Sequence, residues 1–360
     1  MITHSPTSQC DGAARSFQAR WTRAPRRKAT LAACLLAALC TPALLARDKD
    51  NKFTYTIFDP SGSVETIPTS MNPAGTITGY YFDGNAFYGF VRDHDGEITT
   101  FSIPGATATV GVSINPAGVI TGYYFQGLVG HGFVRDRDGT ITSLDPVGSS
   151  DTEPASINPQ GAIVGTYFDA GNVSHGFIRT PDGAVHSFDP PGSNGTFAVA
   201  ITPNGEITGY YNEGAYYQHG FLRSRDGNYT EFDAPEAIST TPAAINAAGE
   251  IVGSYYTLDL SKVHAFVRDR DGRITVFDGP GAFGTFPESL TPAGAMTGNY
   301  DTNAGQHGFV RDRESEFMTF DPPGSIRTEP RAINSRGTIT GDYVDASGNA
   351  HGFVRKVSRP

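Results

Sequence analysis

The chain copies itself. A pattern of the form Gly-x-Ile-x-Gly, or a near variant, begins at Gly75, Gly118, Gly161, Gly205, Gly249, Gly294 and Gly337, at steps of 43, 43, 44, 44, 45 and 43 residues. A period of this length marks one supersecondary unit repeated so that each copy buries the apolar face of the next. In the third copy four β-type runs, Ala155 to Asn158, Ala162 to Tyr167, His175 to Arg179 and Val185 to Asp189, are separated by turn chemistry. Asn-Pro-x-Gly joins the first two runs. Asp-Gly joins the last two, and the pair is expected to form a two-residue hairpin turn with positive φ. Helical periodicity is absent. Four antiparallel strands per period predict an all-β fold, a seven-bladed β-propeller with four strands in each blade.

The ends of the array sharpen that expectation. The last copy stops after its third strand, His351 to Arg355, with only a short tail beyond. Phe53 to Asp59 has the pattern of a fourth strand, as in Ile274 to Asp278, but no first three strands precede it. Joining the two completes the last unit, so the ring is predicted to be closed by the N-terminal strand (53–59). A closed ring hides its edges, whereas an open solenoid needs distinct polar caps.

Residues 1–46 read as a secretory targeting segment, with 47–360 as the single propeller domain. Arg20, Arg23, Arg26, Arg27 and Lys28 precede the apolar run Ala29 to Leu39, and small residues follow to Ala46. That order matches an export signal, and the run is too short for a stable membrane span. Cys10, Cys34 and Cys40 all lie in this segment, so the remainder can hold no disulfide or thiolate metal site. Removing the segment, with its six basic residues and Asp11, shifts the net charge from −10 to −15. Such a surface repels phosphate backbones, so nucleic acid is not an expected partner. The expected product is an exported, periplasmic or extracellular, monomer.

The third-strand opening His264-Ala265-Phe266, with His-Gly-Phe in other copies and Tyr88-Gly89-Phe90 in the first, resembles the extracellular HAF-repeat proteins of bacteria. The resemblance spans about 300 residues of the chain. It implies export and a propeller-like repeat, and it carries no catalytic residue to transfer.

Strand order places the second-to-third and fourth-to-first connections, the longer ones, on one face, where loops can vary on a rigid scaffold. Six histidines recur at one position: His131, His175, His219, His264, His307 and His351. A residue present in nearly every copy serves what every copy shares, so these read as structural hydrogen-bonding groups. The recurrent tyrosines Tyr81 to Tyr343 read the same way. Arginines ending the third strands are expected to pair with the aspartates closing the fourth. Asp136-Arg137-Asp138-Gly139 resembles part of a calcium loop but lacks its later ligands, so a turn is expected. No metal and no cofactor is expected, and no triad, nucleophile elbow or phosphate loop is present.

A unique site should be built from residues that break the repeat. The candidates are Phe87 and Tyr88 in unit one, Asp151 and Glu153 in unit three, Tyr216 and Tyr217 in unit four, and Arg327, Glu329 and Arg331 in unit seven. They point to an exported, non-enzymatic binding module for a glycan or protein ligand. The alternative is a hydrolase or lyase acting on a polysaccharide or lactone, its carboxylates meeting only in space.

Overall fold

The structure, a computed structural model, describes residues 45–47, 52–214 and 217–358. Among them there is no helix. Residues 1–44 of the expected targeting segment lie outside the described residues, while Leu45–Arg47 forms a strand antiparallel to Phe53–Phe58.

Unit three shows how the sequence makes the repeat. Asp151–Ile157, Ile163–Phe168, Ser174–Arg179 and Val185–Phe188 pair in order as antiparallel neighbours. Three of these strands match the predicted runs to within one residue, but the first begins four residues earlier than predicted. The Asp-Gly turns also differ from the expectation. Gly96 donates to the Asp93 carbonyl and Asp93 to that of Glu97, so each turn is longer than two residues. Only the glycine takes positive φ, 106° at Gly96. The Asp93 carboxylate accepts the amides of Asp95, Gly96 and Glu97, which holds the turn in place.

Each first strand carries a bulge, between Pro154 and Ser156 in unit three and between Pro330 and Ala332 in unit seven. This bulge explains the repeated glycine of the second strand. A Cβ at Gly165 would lie 2.3 Å from the Glu153 carbonyl oxygen, and one at Gly341 2.1 Å from that of Glu329. Backbone meets backbone there, and no side chain fits.

The core is as periodic as the sequence. Phe90, Phe133, Phe177, Phe221, Phe266, Phe309 and Phe353 are fully buried at one third-strand position. The seven first strands, from Glu65–Met71 to Ser325–Ile333, each neighbour the next, and the last neighbours the first. Phe53–Phe58 pairs antiparallel with Ala350–Val357, Phe58 opposite Gly352. Phe58 then sits in a cluster with Met71, Ile77 and Phe90 of the first unit and Ala332 and Val354 of the last.

The seam is therefore packed like any interior unit. Phe58→Ala should cost about 3–5 kcal/mol, the same within error as Phe188→Ala in unit three. Chemical denaturation of both variants checks this; a Phe58→Ala loss much smaller than the Phe188→Ala loss would show that the N-terminal strand is not part of the core.

Candidate ligand-binding site

The repeated polar residues are used up by the fold. His131, His175, His219, His264 and His307 each direct Nδ1 to the aspartate ending their own unit's fourth strand, at 2.8 to 3.0 Å. His351 does the same with Asp59 at 2.8 Å, across the seam. Unit one lacks both partners together, with Tyr88 and Ser102 at the two positions. The recurrent tyrosines stack on these histidines, as Tyr167 does on His175 at 5.1 Å, and Tyr167 shares a hydrogen bond with Ser187. The arginines do not pair with the aspartates as expected, because the histidines hold them. Arg92, Arg135, Arg223, Arg268, Arg311 and Arg355 lie instead over fourth-strand phenylalanines, with Arg92 4.9 Å from the Phe58 ring centre.

The position between the second-strand glycine and the recurrent tyrosine varies although both its neighbours are repeated. It holds Tyr80, Tyr123, Thr166, Tyr210, Ser254, Asn299 and Asp342. Directly opposite, on the first strands, stand Ile67, Val110, Glu153, Phe197, Thr241, Phe286 and Glu329. These cross-strand pairs flank the bulge, a feature that re-aims side chains. They form a band on the inner two strands, toward the ends that lead into the longer loops.

One pole of the band is an ion cluster. Arg327 lies 3.1 Å from Glu329 and 3.7 Å from Asp342, while Arg331 binds Glu329 and lies 3.3 Å from Asp342. Burial works against the Arg331 charge, but Asp342, Glu329 and Glu288 outweigh it and raise its pKa. Burial, with Glu329 beside it, pushes Asp342 up to about 6 against the pull of the arginines. Glu288 is likewise raised by burial.

The other pole contains Glu153, Asp151, Tyr123 and Tyr210. Burial first, and Asp151 second, push Glu153 up to about 7. Burial also raises Tyr123 and takes Tyr210 up to about 12, both within electrostatic reach of Glu153. Phe197 stacks on Tyr210 at 4.8 Å. Asp151 packs against Gly130, and its Oδ1 is buried without a hydrogen-bond partner.

Five of the nine sequence candidates, Asp151, Glu153, Arg327, Glu329 and Arg331, fall in this band. They belong to first strands and not to loops, because those strands start earlier than the sequence pattern suggested. Phe87 and Tyr88 are also on a strand, stacked on Phe82 at 4.6 Å and Tyr81 at 5.4 Å. Tyr217 opens a strand and borders a recess of about 590 Å³ with Ile238 and Leu258. Tyr216 lies outside the described residues. Sequence reasoning missed Tyr80, Tyr123, Tyr210, Glu288 and Asp342. The signal was there, a variable residue between two invariant ones. Separately, His219, Glu231 and Asp233 bring ligand atoms within 4.8 Å of one another on the rim. His219 Nδ1 is already bonded to Asp233 there, and Tyr211 donates to Glu231.

No family model matches the chain. No curated protein matches it in sequence. Solved structures do match in shape. Virginiamycin B lyase from Staphylococcus aureus superposes with a TM-score of 0.59 at 15% identity, over 85% of this chain and 100% of that one. A streptogramin B lyase gives 0.58 at 14% identity, over 85% and 98%. The β-propeller domain of the Trilobed protease from Pyrococcus furiosus gives 0.56 at 10% identity, over 87% and 95%. At such identities the likeness defines the fold alone, and that fold is the β-propeller.

The raised Glu153 makes stability depend on pH. The folded state keeps a proton that the unfolded chain releases between about pH 4.5 and 7, so the group weakens folding as pH rises through that window. Glu153→Gln should leave the melting temperature nearly unchanged at pH 4.5 and raise it at pH 8. An equal difference at both pH values contradicts the assignment.

Proposed function

We propose that the protein is an exported, monomeric, seven-bladed propeller of the HAF-repeat type, with four strands per blade and a ring closed by its N-terminal strand. It binds a glycan, without turning it over, at the long-loop end of its inner strands. Export rests on the basic run Arg20 to Lys28 followed by the apolar Ala29 to Leu39.

One observation carries the binding reading. The variable position between the second-strand glycine and the recurrent tyrosine holds a hydrogen-bonding side chain in every unit, from Tyr80 to Asp342. Hydroxyls, an amide, carboxylates and aromatic faces together are what a sugar ring asks of a site. Exposed Tyr217 and Tyr256, at the ends of their strands beside the second-to-third connections, and Phe283, from a fourth-to-first connection, extend that surface. Binding is favoured over turnover because the reactive groups are committed. The histidines are tied to aspartates, and Glu329 and Asp342 to arginines.

A lyase or hydrolase is the second reading, favoured by Glu153 alone. A carboxyl with a pKa of about 7 can serve as a general acid near neutrality. Two of the fold neighbours are lyases by name.

Glycan-array binding followed by product analysis separates the readings. Binding with the glycan recovered intact is expected, and Tyr123→Ala or Tyr210→Ala should weaken it about tenfold or more, as loss of an aromatic contact does. Shortened or unsaturated products would establish turnover. No retention of any glycan would overturn the binding reading.

A further inference from the structure

Two turns in the longer connections break the backbone rule that the other copies keep. In the fourth-to-first connections the residue with positive φ is Gly62, Gly105, Gly148, Gly192, Gly281 or Gly324, but between units four and five it is Glu236, at 58°. In the second-to-third connections that residue is a glycine, or Asn172 in unit three, but in unit five it is Leu260, at 50°. A residue with a Cβ is strained there, and an aliphatic one has no side-chain hydrogen bond to offset the strain. Leu260 is moreover 64% exposed, so burial does not offset it either. Strain kept at such positions marks a place where the side chains matter more than the ease of the turn.

Glu236 lines the recess of about 590 Å³ together with Tyr217, Ile238, Leu258 and Asp259. Leu260 follows in the same loop, its amide bonded to the Thr257 carbonyl at 3.0 Å. This second-to-third connection is the longest of the seven, with eight residues between Tyr255 and His264 against six or seven elsewhere. Asp259 holds it in shape by accepting the Thr257 hydroxyl at 2.7 Å and the Ser261 hydroxyl at 2.9 Å. Leu258, 78% exposed, and Leu260 are thus presented to solvent on a braced loop. Phe283, also exposed, stands beside that loop, since its carbonyl takes the Val263 amide at 3.0 Å.

The recess therefore joins aliphatic and aromatic walls to two carboxylates. Among the described residues neither Glu236 nor Asp259 forms an ion pair with a lysine or arginine, and Lys262 is the one basic side chain of the loop. Leucines offer a sugar hydroxyl no hydrogen bond. A second copy of this acidic chain, or an anionic bilayer, would bring further negative charge to an acidic surface. Apolar area with a cation attached is what fits. We propose that the recess docks a segment of a partner protein in which a leucine or phenylalanine side chain stands beside a lysine or arginine. The apolar side chain enters between Tyr217, Ile238 and Leu258, and the cation meets Glu236 and Asp259. This docking goes beyond the glycan reading, in which Glu236 and Leu260 have no part.

The test is selection of random phage-displayed peptides on the purified protein, with the enriched sequences synthesised and titrated by fluorescence anisotropy. Peptides joining Leu or Phe to Lys or Arg should be enriched, and replacing their cations by Glu should weaken binding about tenfold or more. Glu236→Gly and Leu260→Gly should each weaken binding by a similar factor while melting no lower than the parent, because glycine relieves the positive φ, and this separates lost docking from lost folding. Glycan retention should be the same in both variants, so the failure of one reading does not carry the other. Enrichment of uncharged or acidic peptides would overturn the cationic partner. No enrichment, or unchanged peptide affinity in both glycine variants, would overturn the docking site. A dimer in sedimentation that Leu260→Gly disperses would also overturn it, by giving the surface to a second copy.

Discussion

The aspartate that ends every fourth strand except that of unit one holds the structure to its repeat. Its Oδ2 takes the histidine of its own unit, and in three places its Oδ1 also takes the hydroxyl of the next unit's first-strand threonine. Asp189 joins His175 to Thr196 in this way, at 2.8 and 2.6 Å, and Asp321 joins His307 to Thr328. Asp59 does it between the two ends of the array, binding His351 at 2.8 Å and Thr66 at 2.6 Å. One carboxylate thereby clips neighbouring units together, and at Asp59 it clips together residues almost 300 positions apart. A charged acceptor shared by two donors in a half-buried setting is stronger than a neutral hydrogen bond, and its geometry fixes orientation as well as distance.

Units clipped together in this way turn the inner strands into a scaffold for variation. On the opposite face, asparagines pass hydrogen bonds from unit to unit, Asn72 to the Asn115 carbonyl and Asn115 to that of Asn158. The sequence is therefore constrained at both ends of the first strand, by Thr and Asp at one and Asn at the other. Between them the bulge and the second-strand glycine bring the two backbones into contact. The residues beside that contact, Glu153 and Thr166 or Glu329 and Asp342, are held by a rigid backbone and are free to differ from unit to unit. That freedom is what distinguishes a site from a scaffold.

Most of the fold was legible because repetition averages out local ambiguity. The strand order and the pairing of Phe53–Phe58 with Ala350–Val357 followed from the phase of the repeat alone. The first strand was misjudged because Asp151, Glu153 and Pro154 lack β propensity, and their extended form comes from pairing with Ile163–Phe168. The same error placed the site residues in loops. The arginine partners were misjudged for another reason: charge complementarity suggested aspartate, but those carboxylates were already taken by histidine, and stacking on phenylalanine was left. Tyr80, Tyr123 and Tyr210 escaped attention because two adjacent tyrosines look alike in sequence while the pleat sends them to opposite faces.

Closure through the N-terminal strand is the claim on which both the scaffold and the site depend, and amide hydrogen exchange reads it directly. The inter-strand amides of Phe53–Phe58 should exchange as slowly as those of Val185–Phe188, the equivalent strand inside the array. Exchange of residues 53–58 at the rate of an unstructured chain, beside a protected 185–188, would contradict the closed ring.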